Sequence, residues 1–375
     1  MRNKSNNRDI REARKTKWVA HLNNKKKSRA LKEKDRNEAM KNKTIAVSSF
    51  DLQKQLTCPK SEDSVMYYMS KLNIYDFTVF NHISRVGKCY VWHEGIGKKG
   101  SSEISSALAL HIADLVKEGH SDIRFYSDNC AGQNKNRYLF AMYLHLATKY
   151  SIKITHRYLE PGHTQMEADN IHGNIERATD KMNIYDFDGW IEALENTKEE
   201  LPKYEVIRLH QNNIFSYRDL VDKKQNWEKD LARQKITWTK VKEISFNGTD
   251  GLVRMKYDYD QASYVTMSTN KAGHPINLKN FKPPLAYTSH IPLPRLTIEH
   301  LTSLCDNFHV PLEKQAFLRS VIAGVYPVDE EEVSDIEYDS DEELCNAVIE
   351  DEDDNDNEDD NEDDNEEEVD DPEDA

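Results

Sequence analysis

The chain lacks the cysteine spacing that would make a disulfide framework or a zinc site. Its five cysteines, Cys58, Cys89, Cys130, Cys305 and Cys345, form no C-x-x-C, and their number is odd. That argues against both and fits a reducing compartment. No apolar run approaches the ~18–20 residues of a membrane span, so no membrane partner is expected. The start is basic but has no apolar segment behind it, which excludes a secretory signal. No repeat of 20–50 residues is visible. Basic residues are missing from one whole stretch: from Val328 onward there are 29 Asp and Glu and no Lys or Arg.

Charge is instead distributed by segment. Residues 1–45 hold 16 Lys and Arg against 5 acids, which leaves 35 basic and 33 acidic residues in the middle. The net charge of −16 therefore describes the tail, and without the tail's 29 negative charges the chain would stand at +13. That balance is compatible with a nucleic-acid partner. Residues 328–375 are low in complexity and cannot form a core, so a disordered acidic tail is expected. It could bind basic proteins such as histones or compete with DNA for a basic arm. Residues 1–43 form that arm. It reads either as a solvated, frayed helix or as a segment that touches phosphates or an import receptor, with Lys25 to Arg29 its densest part.

About two domains fit 375 residues. Residues 44–56 read as a strand ending near Asp51, residues 72–83 as a second strand, and residues 88–96 as its hairpin partner. Gly95, Gly97 and Gly100 make a loop, and a helix follows to about Glu118 with Ile104, Leu108, Ile112 and Leu115 on one face. A strand over 123–127 leads to a helix over 134–150, and a strand over 152–159 leads through Pro161-Gly162 to a helix over 165–182. The order βββαβαβα is that of an α/β, ribonuclease-H-like mixed sheet, assigned to residues 44–185. Residues 186–325 read as an α+β extension: a polar helix over 190–200, a small β-rich module over 204–290, then one or two helices.

Two-metal phosphoryl transfer needs hard oxygen ligands on rigid elements, holding ions ~3.5–4 Å apart. Mg2+ or Mn2+ suits carboxylates and water. Asp51, Asp128 and Asp169 fall at the end of strand one, the end of strand four and on the helix after strand five. Each has a plainer alternative: Asp128 as an Asx turn before a helix, Asp51 as the end of an edge strand with Asp76 as its competitor. Thr164-Gln-Met-Glu167 matches a capping box, which assigns Glu167 to the backbone and leaves Asp169 as the ligand. Asp169, His172 and Glu176 share a helix face. His172 is a ligand, a proton shuttle, a phosphate contact or an exposed polar residue; Glu176 is a further ligand candidate. Gln133, Asn134 and Asn136 at a helix start suit substrate phosphates, and His163 either touches substrate or packs in its turn. Glu94 and Glu103 default to the surface.

These residues carry a resemblance. YSDNCAGQNKN and EPGHTQMEADNIHGNIE, with SSFDLQKQLTCP, YYMSKLNIYDFTVF and YVWHEGIGKKGSSEI upstream, resemble a large family of uncharacterised eukaryotic proteins derived from DNA transposons. The resemblance covers roughly residues 44–325 and implies a DDE-type transposase core with Asp51, Asp128 and Asp169 in the acid positions. It further implies metal-dependent cleavage or strand transfer on DNA, and a longer parent protein with an N-terminal DNA-binding region. An Asp stands where many transposases have Glu as third acid, so a catalytically inactive remnant that binds nucleic acid or chromatin proteins is the alternative. A structural protein working through residues 204–325 is a third. A DNA partner sets the expected location in the nucleus, with the cytoplasm as the alternative and secretion excluded.

Overall fold

The computed structural model describes residues 2–130, 134–160, 166–221, 225–271 and 277–324, with side chains from residue 14 onward except at residue 17. The tail over 328–375, Gln133, His163 and Thr164 lie outside the described residues, as do the expectations placed on them.

Alternating apolar residues produce the strands. The five expected ones are β1 (Ile45–Leu52), β3 (Leu72–Asn81), β4 (Gly87–His93), β5 (Asp122–Ser127) and β6 (Lys153–Tyr158). A short β2 (Leu56–Cys58) and the single-turn helix α2 (Ser64–Tyr67) stand between β1 and β3. Helix α3 (Ser101–Lys117) follows β4, α4 (Arg137–Tyr150) follows β5, and α5 (Glu167–Thr179) follows β6. β1 pairs antiparallel with β3 and parallel with β5, while β5 pairs parallel with β6. The two parallel pairs require crossovers, and α3 to α4 supply them. Since β1, β5 and β6 run the same way, their carboxyl ends open on one edge of the sheet.

Side chains on the two faces differ. Phe50, Phe77, Phe125 and Ile154 point to the face covered by α3 and α4, where Leu108, Ile112, Leu139 and Tyr143 are fully buried. Ile45, Val47 and Tyr126 point to the other face. That face carries α1 (Arg2–Lys41) and α5, with α6 (Phe187–Glu195), α7 (Arg295–Asp306) and α8 (Gln315–Ile322) packed beside them.

The extension is not a separate β-rich module. β7 (Glu205–Arg208) adds parallel to β4. β8 (Glu243–Asn247) adds antiparallel to β6, followed by β9 (Leu252–Lys256) and β10 (Val265–Ser268). All join one ten-stranded mixed sheet. β4 and β6 would otherwise be bare edges with unpaired N–H and C=O groups, and the extension satisfies both.

The basic arm is likewise built in. Its last third docks on β5 and β6 through Asp35, which is only 3% exposed. Asp35 accepts hydrogen bonds from Arg124 Nη1 (2.6 Å), Tyr126 OH (2.7 Å) and Arg157 Nη1. Arg124 also donates to Glu38 Oε2 (2.7 Å), and Arg157 to Glu243 Oε2 (2.5 Å). The arm's net charge hid this, because two of its few acids make the contact with β5 and β6. Removing one partner from a buried ion network leaves the others uncompensated, at about 3–5 kcal/mol. Asp35→Ala should therefore lower the unfolding free energy by about that amount in urea titration. A loss under about 1 kcal/mol would show that α1 is docked by other contacts.

Candidate functional site

The carboxyl edge brings the acids together. The β1–β5 ladder is parallel from Ile45↔Asp122 to Ser49↔Tyr126. Continued two residues further, the same offset sets Asp51 beside Asp128. Period-two alternation turns Asp51 to the face of α5, as it does Ser49; Asp128 follows the last residue of β5. Helix α5 then brings Asp169 and His172 from above, one turn apart. Ligand atoms of Asp51, Asp169 and His172 all lie within 4.8 Å of one another. His172 Nδ1 stands 3.8 Å from Asp51 Oδ2. Among the described residues this cluster has the donor chemistry to hold a metal ion. Asp128 is not part of the 4.8 Å group, although its charge reaches both Asp51 and Asp169.

Burial and like charge dominate the electrostatics. Burial pushes the Asp51 carboxyl up to about 7, and the negative charges of Asp128 and Asp169 add to the shift; Leu52 N–H and Lys99 oppose it. Asp169 is raised, first by burial and then by Asp128 and Glu167. His172 is pushed down to about 4 by burial, so its ring is neutral and its lone pair is available to a metal. It is 8% exposed, which removes the exposed-polar reading, and its Nε2 is a buried atom with no hydrogen-bond partner among the described residues.

The capping assignment is reversed. Helix α5 begins at Glu167, with Met166 as its N-cap, and Asp169 Oδ2 accepts the Met166 N–H at 2.8 Å. Asp169 thus caps its own helix as well as facing the cluster; a carboxylate has two oxygens and can do both. Glu167 is held elsewhere. Its Oε2 accepts from Lys32 Nζ of α1 (2.5 Å) and Ser49 Oγ (3.2 Å), and its Oε1 lies 3.6 Å from His82 Nδ1. Burial would raise this carboxyl, but His82 and Lys32 hold it below the usual range. This support under the first turn of α5 was missed by sequence reasoning. Ser49 was reachable, since it lies two residues before Asp51 on the same strand face; Lys32 and His82 carry no signal in the sequence.

Other expected residues have structural duties. Asp128 Oδ1 accepts from Cys130 N–H (3.1 Å), which is the Asx turn, and from Asn134 Nδ2 (2.5 Å). Asn134, 3% exposed, therefore orients Asp128, and its carbonyl accepts Tyr158 OH at 2.9 Å. Asn136, 5% exposed, caps α4 by accepting Leu139 N–H at 2.8 Å. Neither amide faces outward to a substrate, because each is taken up by a backbone or carboxylate partner. Glu176 is exposed and outside the cluster. Asp76 does not face solvent: it is buried, bonded to Thr78 Oγ1 (3.3 Å), and raised to about 7 by burial. Glu103 is fully buried and accepts Lys98 N–H (2.7 Å) and Tyr287 OH (2.5 Å), pinning the glycine loop, while Glu94 binds Asn73 Nδ2 (2.8 Å).

Residues 68–247 match the model of a domain of unknown function, DUF7869. The matched span contains Asp128, Asp169 and His172 but begins after Asp51. No curated protein and no solved structure matches the chain.

Raising Asp51 to about 7 has a stability consequence. From about pH 4 to about pH 7 the folded chain binds more protons at Asp51 than the unfolded chain, so ionising it lowers stability as pH rises. Asp51→Asn removes that contribution. In urea unfolding with chelator present, the variant should gain on the wild type across this window and level off above it. A difference independent of pH contradicts the placement of Asp51 in a crowded, partly buried carboxylate site.

Proposed function

We propose that the chain is a metal-dependent phosphoryl-transfer protein of the transposase or nuclease type, acting on DNA from a ribonuclease-H-like core. The observation that carries this reading is the cluster of Asp51, Asp169 and His172 at the carboxyl end of β1 and the start of α5, with Asp128 near enough for its charge to act on both acids. Like charges gathered in a partly buried site are costly unless a cation compensates them. None of the three carboxylates makes an ion pair with a lysine or arginine among the described residues, so the compensating cation is assigned to Mg2+ or Mn2+. The strand order β4-β3-β1-β5-β6, with β5 and β6 parallel to β1, supports the fold reading. So does the resemblance of the SDNCAGQNKN and EPGHTQMEADNIH stretches to transposon-derived proteins.

The residues divide the work. Divalent ions, when bound, supply charge stabilisation at phosphate and a more acidic water or 3′-hydroxyl nucleophile. Asp51, Asp128 and Asp169 would hold them. Asn134 keeps Asp128 in its rotamer through the 2.5 Å bond to Oδ1. The Glu167–Lys32–Ser49 contacts hold the first turn of α5, and with it Asp169 and His172, against β1. Exposed Lys15 and Lys26 on α1 suit a phosphate backbone, and DNA as substrate sets the site of action in the nucleus.

A second reading, a remnant that binds DNA or chromatin proteins without cleaving, is favoured by one observation: Asp169 spends Oδ2 on its own helix cap. Catalysis separates the two. Under the first reading, Asp128→Asn and Asp169→Asn lower divalent-dependent cleavage or strand transfer on duplex DNA by at least about 100-fold. Under the second, the wild type binds DNA with no turnover in any divalent ion. Full activity in both variants sinks the phosphoryl-transfer reading.

A further inference from the structure

We propose that the position between Asp51, Asp169 and His172 takes a first-row transition ion in preference to Mg2+, with a ring nitrogen of His172 as direct ligand. This rests on the metal-site reading above and narrows it.

His111 and His156 in this region each satisfy one ring nitrogen, while their Nδ1 atoms are buried without a hydrogen-bond partner among the described residues. His111 Nε2 pairs with Ser48 Oγ at 3.1 Å, and His156 Nε2 with Ser127 Oγ at 2.9 Å. His172, beside the acids, makes no hydrogen bond at either ring nitrogen among the described residues. Its Nε2 is buried without a partner among the described residues, and its Nδ1 is 3.8 Å from Asp51 Oδ2, beyond hydrogen-bond reach. Leaving a buried ring nitrogen unsatisfied costs about 1–3 kcal/mol. A ring nitrogen of His172 lies within 4.8 Å of carboxylate oxygens from two separate elements, and Nδ1 is the one 3.8 Å from Asp51 Oδ2. Donors on a single ion lie up to about 4.4 Å apart, so the set closes on an ion with a small adjustment. A cation shared by all three groups satisfies the nitrogen and offsets the carboxylate repulsion together.

The donor set then decides the ion. Mg2+ takes oxygen ligands and keeps its water, whereas imidazole favours transition ions, with affinity rising from Mn2+ through Fe2+ and Co2+. Two carboxylates and one imidazole are a mixed set of the second kind. His172 sits at i+3 from Asp169, so the helix delivers both ligands from one face. The position of His172 therefore acts as the selectivity-determining ligand.

The test uses the full chain with Mn2+ and Mg2+ as probes. Calorimetric titration should give Mn2+ binding at least about tenfold tighter than Mg2+. Pulsed electron paramagnetic resonance of bound Mn2+ should show nitrogen hyperfine coupling, which needs no variant and no activity. His172→Asp converts the set to oxygen alone; it should abolish that coupling and reduce the Mn2+/Mg2+ preference at least about fivefold while binding persists. Mn2+ bound without nitrogen coupling, or a preference unchanged in His172→Asp, overturns this inference and leaves the metal-site reading standing. Binding of neither ion removes both.

Discussion

Like charge brought together by strand register is the constraint from which the site follows. The parallel ladder between β1 and β5 keeps one offset to its last pair, Ser49↔Tyr126, and the same offset carried two residues on sets Asp51 level with Asp128. Strand alternation fixes the face of Asp51, and bonds from Cys130 N–H and Asn134 Nδ2 hold Asp128. Burial of Asp51 then lifts its carboxyl to about 7, with the charges of Asp128 and Asp169 adding to the lift. A fold that holds two acids side by side and leans a third onto them has accepted a local instability. A divalent cation is the simplest group that removes it.

The rest of the chain holds that arrangement in place. Helix α5 carries Asp169 and His172, and its first turn is fastened through Glu167 to Lys32 of α1 and Ser49 of β1. Helix α1 is in turn fastened by Asp35 to Arg124 of β5 and Arg157 of β6, and Arg157 reaches Glu243 of β8. Arm, core and extension therefore meet in one ion network beneath the site. Buried polar networks of this kind contribute less to net stability than to fixing one arrangement among several. For a site whose ligands come from three elements, that rigidity is the useful property.

Much of this was legible in the sequence, for reasons that differ by residue. Strands β1, β3, β4, β5 and β6 carry β-branched and aromatic runs bounded by turns, and the helices carry 3.6-residue periodicity, so both types are visible locally. Asp51 and Asp169 could be placed near one another because each lies near the end or start of an element whose position could be counted, while Asp128 stands outside their 4.8 Å group. What failed was non-local or a matter of one residue. The N-terminus of α5 fell at Glu167, not at a cap on Thr164, which exchanged the duties of Glu167 and Asp169. The joining of β7 to β4 and of β8 to β6 depends on which edges remain bare, and periodicity carries no such information. Glu103 reads as a surface acid by type, yet it is buried, because its partner Tyr287 lies in the fold and not in the motif.

The most direct measurement is diffraction from crystals of the full chain soaked in Mn2+, collected to record the metal's anomalous signal. The account calls for an anomalous peak among the carboxylates of Asp51 and Asp169, at about 2.0–2.2 Å from their oxygens, with Asp128 within reach of the same or an adjoining ion. A map with the three acids ordered as described and no peak between them would contradict the account. The carboxylates would then be tolerating one another through protonation of Asp51 alone, and the edge of the sheet would be a structural feature without metal chemistry.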